Sequence, residues 1–411
     1  MAATEKLAGG WRKLTAHLGL NASMGAMLVM VLCVGMGERL GERFLPLYLL
    51  ALGGSATAIG ALGGLQNLLG ALYSLPGGWV SDRWGHRRAL VAFNLVALSG
   101  FVLVLAVPRW WAVLVGAVFF IAWSAVTLPA IMSLVGRVLP QNKRVTGVSL
   151  HSFVRRIPMA LGPVLGGALI AHFGTVTGLR LAFGAAALLC LAGIGLVLAF
   201  IPEDSPGTPK ETLPPLRLFQ RFDPALRSLL LSDILIRFCE QIPYAFVVVW
   251  AVQLHGLTAV QFGVLTAIEM VTAALIYLPV ARFADRGAKK PFVLATFIFF
   301  TAFPLVLLFS RNFPMLVVAF VLRGLKEFGE PTRKSLILDL APADARAATF
   351  GLYYLIRDVI VSLAAFGGAW LWQLSPTVNL VAATAFGAAG TVWFAVYGRD
   401  LGGPAAEMNR G

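Results

Sequence analysis

The feature that most limits what this chain can become is a series of apolar stretches, each long enough to cross a hydrocarbon layer, from about residue 22 to residue 398. A helix rises about 1.5 Å per residue, so a roughly 30 Å core needs about 20 apolar residues. Stretches that meet this need fall at about 22–51, 56–80, 88–107, 110–137, 145–173 and 178–200. A second set follows at about 227–253, 259–283, 290–310, 313–338, 347–373 and 377–398. The spacing therefore predicts an all-α membrane protein with twelve transmembrane helices. Only 13% of the 411 residues are charged, against about a quarter in a soluble domain.

Between the two sets, residues 201–226 are rich in proline and charge ("PEDSPGTPKETLPPLRLFQRFDP") and read as a linker. It joins an N-terminal half, 21–200, to a C-terminal half, 227–398, with tails at 1–20 and 399–411. The net charge of +14 gathers in alternate loops, at Lys6, Arg12 and Lys13, at Arg83, Arg87 and Arg88, and at Lys143 and Arg144. Lys210, Arg217 and Arg221 follow in the linker, and Arg282, Arg286, Lys289 and Lys290 after the eighth span. The opposite loops hold little beyond Arg109, Arg180 and Arg311. That asymmetry places both termini and the linker in the cytoplasm of a multi-pass plasma-membrane protein. It also explains the basic charge without a nucleic-acid partner.

Cys33, Cys190 and Cys239 lie in apolar runs without CxxC spacing, which favours packing over disulfides or metal ligation. No glycine-rich nucleotide loop, metal-ligand histidine cluster or nucleophile triad is evident, and the loops are short. An enzyme is not expected, and neither is a cofactor or a metal.

The halves repeat. "SATAIGAL" (55–62) matches "TAVQFGVL" (258–265), and "VSDRWGHRRALV" (80–91) matches "FADRGAKKPFV" (283–293). "PAIMSLVGRVLP" (129–140) matches "PTRKSLILDLAP" (331–342), and "FVRR" (153–156) matches "LIRD" (355–358). All four pairs share a displacement of about 202–203 residues. Two six-helix halves of the same orientation are the parallel-repeat plan of secondary transporters.

In "GGWVSDRWGHRR", Gly78, Asp82, Arg83, Gly85, Arg87 and Arg88 form a G-x3-D-R-x-G-x-R-R pattern. Glycine permits close packing and a tight turn, the aspartate can pair with a cation, and the arginines hold the loop at one membrane face. The pattern resembles the loop joining helices 2 and 3 in the major facilitator superfamily, and the resemblance covers about residues 20–400. It implies the major facilitator fold, a monomer in the lipid bilayer, and a cytoplasmic latch between halves. His86 departs from the usual basic residue, and the echo "ARFADRGAKK" is one residue short, which implies a weaker second latch.

The fifth span contains Gly162, Pro163, Gly166 and Gly167, resembling the G-P-x-x-G-G core found in proton-coupled antiporters of this superfamily. A generic small-residue packing face is the alternative. Pro158 and Ser149 stand where the full motif has glycines. The fourth span lacks the arginine that many proton-coupled relatives carry, and an arginine followed by a glycine stands instead in the tenth, "LRGLKEFGEP".

Charge within the spans marks the candidate site. Each ionised group near a helix centre costs about 2.5–3.5 kcal/mol on insertion scales and normally faces a cavity or a partner. The first span has Glu38, Arg39, Glu42 and Arg43; the fifth, Arg155 and Arg156; the seventh, Asp233, Arg237 and Glu240. The eighth has Glu269, the tenth Arg323, Lys326, Glu327 and Glu330, and the eleventh Arg357 and Asp358. Helical spacing predicts the pairs Arg39–Glu42, Asp233–Arg237, Arg323–Glu327 and Lys326–Glu330. Glu269 has no base three or four positions away and needs a partner from another helix. Arg333, Lys334 and Asp339 read as gate or interface charges near the cytoplasmic end.

By the resemblance, helices 1, 4, 7 and 10 line the central cavity, and Glu38 and Glu240 stand at nearly corresponding repeat positions. Glu38, Arg39, Glu42, Glu240, Glu269, Arg323, Lys326, Glu327 and Arg357 are therefore the candidates for contact with a small-molecule substrate or a proton. A structural ion-pair network is the competing role for the 323–330 cluster. The expected activity is proton-coupled efflux of a small organic or drug-like compound by alternating access. Transport of a polar or anionic metabolite through Arg39, Arg323, Lys326 and Arg357 is the alternative, followed by an amphiphile flippase and a transport-dead receptor.

Overall fold

The computed structural model describes residues 22–121, 144–203, 214–284, 289–342 and 346–399, together with Trp123, Thr127, Ile131 and Leu134. Side chains at 22, 74–79, 81–82, 144–150, 152, 277–284 and 346–348 lie outside the description, as do residues 1–21 and 400–411, Lys143, Lys210 and Arg286. The described residues are helical throughout, without a strand. In chain order the first half comprises α1 (Ala22–Glu42), α2 (Leu45–Ala51), α3 (Ala56–Trp84), α4 (His86–Ala106), α5 (Trp110–Phe120), α6 (Arg144–Phe173) and α7 (Thr175–Phe200). After the short α8 (Pro215–Gln220), the second half comprises α9 (Pro224–Tyr244), α10 (Val247–Val249), α11 (Ala259–Ala284) and α12 (Lys290–Phe309). It continues with α13 (Phe313–Leu325), α14 (Glu330–Leu340), α15 (Arg346–Leu374) and α16 (Pro376–Tyr397). A π-helical turn, Trp250–Leu254, extends α10.

These elements fall within the expected spans. Eight helices among the described residues are long and apolar enough to cross a membrane, and α9 with α10 and its π turn adds a ninth, bent by 41°. The fourth span is described only in part, through α5. Three spans expected to be continuous are broken. The first turns at Arg43–Phe44, the seventh at Ala245–Phe246 and the tenth over residues 326–329. Proline adjoins each break: Pro46 and Pro331 sit in the first turns of α2 and α14, and Pro243 near the end of α9. Proline has no amide hydrogen for an i→i−4 bond and its ring crowds the preceding turn. The breaks in the first and seventh spans are 202 residues apart, matching the repeat displacement.

The repeat appears in contacts as well. At the start of α4, Arg87 donates to the Leu198 carbonyl at 2.6 Å, and at the start of α12, Lys290 donates to the Ala395 carbonyl at 2.8 Å. The matching glycines Gly60 and Gly263 both meet the opposite half. A Cβ on Gly60 would overlap the Ala369 side chain, and one on Gly263 the Pro163 carbonyl. The halves thus join along α3–α15 and α6–α11. We call the end where the linker attaches the linker end and the other the far end. At the far end, Leu45, Tyr48, Val247, Val248, Leu257 and Phe262 are buried in one apolar core drawn from both halves.

Candidate functional site

All three breaks fall beside charges, and the charges converge between the halves. A cavity of about 330 Å³ is lined from the first half by Glu38, Arg39, Glu42, Arg43, Gln66 and Asn67. The second half supplies Arg237, Glu240, Gln241 and Tyr244 from α9, Glu269 from α11, and Lys326 and Glu327 from the 326–329 turn. The volume lies within the roughly 300–1,000 Å³ usual for small-molecule sites.

Within α1, Arg39 pairs with Glu42 and lies 3.8 Å from Glu38. Across the cavity, Arg237 holds Glu240 at 2.7 Å, and Lys326 reaches the same carboxylate at 2.6 Å. Glu269 has three cationic neighbours: Arg323 at 3.3 Å, Lys326 at 3.5 Å and Arg43 at 3.8 Å. Both of its buried oxygens nevertheless lack a hydrogen-bond partner. The base missing from its own helix is thus supplied by the first and tenth spans, through charge alone and without directional bonds. Arg43 and Arg323 also stand over the Tyr244 ring, at 5.1 and 5.2 Å from its centroid, a cation–π arrangement. A hydrogen bond donated by Asn67 Nδ2 to Gln241 Oε1, 3.1 Å, links the halves in the same region.

The break after Leu325 changes two expected pairings. Arg323 was expected to pair with Glu327, and Lys326 with Glu330, on the assumption that helical register continues. Residues 326–329 form turns, so the i,i+4 geometry is lost. Arg323 turns to Glu269, Lys326 to Glu240 and Glu269, and Glu330 to Arg333. Glu327 faces the cavity and makes no ion pair within 4 Å with a described residue. The other two expected pairs form, with Asp233–Arg237 at 3.9 Å.

Arg323 lines a small recess beside the main cavity, between Tyr244, Val247 and Phe262. Arg357 lies outside the cavity lining. It contacts Asp233 at 3.3 Å and Asp358 at 2.7 Å, and stacks 4.2 Å from the Tyr354 centroid. Arg333, read from sequence as a gate or interface charge, is only 1% exposed, paired with Asp233 and, at 2.6 Å, with Glu330. Tyr353 completes this second cluster by donating to Asp233 at 3.2 Å. Asp339 pairs with Lys289.

In the loop motif, Gly85 has φ +83°, so it turns the chain between α3 and α4 where a side chain would be strained. Arg83 is exposed, and Arg88 pairs with Glu203 at 2.7 Å beyond the end of α7. The side chains of Gly78 and Asp82 lie outside the described residues. In α6, a Cβ on Gly162 would meet Arg39, one on Gly166 the Leu40 carbonyl, and one on Gly167 the Ala259 carbonyl of the other half. These glycines let α6 touch α1 beside its charges and α11 across the interface, and Pro163 approaches Gly263.

Sequence reasoning overlooked Gln66, Asn67 and Gln241. The available signal was the same as for the charges: amides in apolar spans also need polar partners.

Among known families, the model described as Major Facilitator Superfamily matches residues 27–239 and 229–408. An uncharacterized MFS-type transporter of Methanocaldococcus jannaschii is 22% identical over 353 residues, 82% of this chain and 85% of that protein. Among solved structures, the nucleoside transporter NupG, in a mutant form, superposes with a TM-score of 0.78 at 13% identity, covering 92% of this chain and 100% of that one. A POT family transporter in complex with a thioalcohol-conjugated peptide gives 0.77 at 14% identity, covering 91% and 95%. At these identities the structures share the fold.

Proposed function

The chain belongs to the Major Facilitator Superfamily and is a multi-pass membrane transporter, and from that premise we propose that it carries a small polar solute bearing both charge signs. The carrying observation is the lining: Glu38, Glu42, Glu240, Glu269 and Glu327 face Arg39, Arg43, Arg237 and Lys326, with three amides between them. A solute with an ammonium and a carboxylate can replace partners on both sides without leaving a buried charge unpaired, the costly outcome in such sites. Arginine offers two donors to a carboxylate, and the glutamates accept from an ammonium. Glu269 suits an exchange role, because its three cations hold it without directional bonds. Transport then proceeds by alternating access, the halves rocking about the cavity. The solved structures of like fold include a nucleoside transporter and a POT family transporter in complex with a conjugated peptide. In this reading the basic loops hold the termini and linker in the cytoplasm, at the plasma membrane.

Proton-coupled export is a second reading, supported by Glu327, a cavity carboxylate without an ion pair among described residues. The charged lining gives less support to an apolar drug-like cargo. Uptake of a labelled panel of zwitterions, anions, cations and apolar drugs into proteoliposomes tests both readings, with and without a proton gradient. Saturable movement of a zwitterion, lost in Glu240→Gln, supports the first. Saturable movement of only apolar cations would sink it. Gradient-driven accumulation that Glu327→Gln uncouples supports the second, and gradient-independent flux would remove it.

A further inference from the structure

Outside the central cavity, a groove of about 560 Å³ opens between α4 and α7 at their linker ends. Its floor and sides are apolar, with Val91 and Ala92 from α4 and the half-exposed Leu95 and Leu198. Its rim carries Arg87 and Arg88 on the first turn of α4, facing Glu203 beyond the last turn of α7. Trp84 stands at the mouth, 49% exposed.

The helices that build the groove are both membrane-spanning by length and composition. Their apolar residues therefore meet acyl chains, while the rim charges fall at the end of the hydrocarbon. The three charged lining residues sum to one positive charge. Arg88 spends Nε and Nη2 on a single Glu203 oxygen, at 3.0 and 2.7 Å, and its Nη1 makes no hydrogen bond among the described residues. Exposed ion pairs of this kind are weakly held, and guanidinium is the cation best shaped for a phosphate. Glu203 is itself held below the usual carboxylate range by the hydrogen bond and charge of Arg88. It stays ionised at neutral pH.

We propose that this groove binds an anionic phospholipid, with its phosphate on Arg88 and Arg87 and an acyl chain along Val91, Leu95 and Leu198. An exposed basic loop would draw anionic lipid only diffusely. A rim of cations above an apolar trough selects an amphiphile, and inorganic phosphate fills only half of it. Because the lipid takes Arg88 in competition with Glu203, occupancy loosens the α4–α7 tie beside the loop that joins α3 to α4.

Trp84 supplies a readout independent of transport. The protein is placed in nanodiscs of equal brominated-lipid content, the bromine on either phosphatidylglycerol or phosphatidylcholine. Trp84 quenching is the difference between the wild type and Trp84→Phe. At least threefold stronger quenching by the brominated phosphatidylglycerol is expected. Arg88→Gln should abolish that preference, and Glu203→Gln, which frees Arg88, should raise it. Equal quenching by the two lipids identifies ordinary boundary lipid and overturns the proposal. Quenching by neither overturns it as well. Displacement of the preference by millimolar inorganic phosphate would make this a phosphate site and not a lipid site.

Discussion

Arg43 and Glu269 lie 3.8 Å apart across the line between the halves. Of the ion pairs between described residues, theirs alone joins the two halves. Glu269 also answers Arg323 and Lys326, so the two partners differ in consequence. Removing Arg43 leaves Glu269 with two cations, whereas removing Glu269 takes the shared carboxylate from three, of which Lys326 keeps Glu240 and Arg43 and Arg323 keep the face of Tyr244. Glu269→Gln should lower the initial transport rate at least about tenfold, and more than Arg43→Gln does. The double variant should be no worse than Glu269→Gln alone, because interacting sites are not additive. Initial rates in proteoliposomes check the order; a larger loss in Arg43→Gln would refute it.

The Asp233 cluster calls for a different measurement. Arg333 and Asp233 are each 1% exposed, and Arg357 and Tyr353 converge on the same carboxylate. Breaking a buried pair by removing one partner typically costs about 3–5 kcal/mol. Asp233→Asn and Arg333→Gln should therefore lower the thermal unfolding midpoint in detergent by many degrees. Glu203→Gln, at an exposed pair, should leave it unchanged. Equal midpoints for all three would argue against a structural role for the cluster.

Close helix approach makes a third prediction. A Cβ on Gly166 would overlap the Leu40 carbonyl, whereas one on Gly184 meets nothing within 4 Å. Overpacking of this kind costs about 1–3 kcal/mol. Gly166→Ala should reduce both the unfolding midpoint and transport, while Gly184→Ala changes neither measurably. Wild-type behaviour of Gly166→Ala would mean that α1 and α6 can part freely.

The seal at the far end can be probed by thiol chemistry. Cys190 and Cys239 are buried and Cys33 is half-buried, so a Cys33→Ala background is quiet. Asn67→Cys and Gln241→Cys in that background should react with a membrane-impermeant maleimide from the linker side only, and more slowly with a bound zwitterion. Equal labelling from both sides contradicts the packing of Tyr48, Val248 and Phe262.

The class of molecule was legible in the sequence because hydrocarbon thickness fixes span length, and duplication leaves a constant displacement. "SATAIGAL" and "TAVQFGVL" marked the duplication, but that their glycines, Gly60 and Gly263, both meet the opposite half came only from the structure. The set of charges was legible too, since each one in a span needs a partner. Which charge meets which was not. Lys326 and Glu330 pair on paper only if the tenth span is one helix, and the turn at 326–329 sends them to different carboxylates and arginines. Arg357 and Glu38 look alike in sequence, yet one belongs to the Asp233 cluster and the other to the cavity. Contacts between remote helices decide such matters, and no local spacing encodes them.

The paired breaks at Arg43–Phe44 and Ala245–Phe246 give the molecule two articulated tips. Leu45–Ala51 and Val247–Val249 come from opposite halves and pack against each other at the far end, each joined to the longer helix before it by a turn bond, Phe44 to the Gly41 carbonyl and Phe246 to the Pro243 carbonyl. A rigid span would have to tilt along its whole length to open that end. A jointed one would need to move only its tip, with the charged shaft beside the cavity left in place. An opening toward the far side confined to these turns would then be a movement of a few short levers, set by their mutual grip.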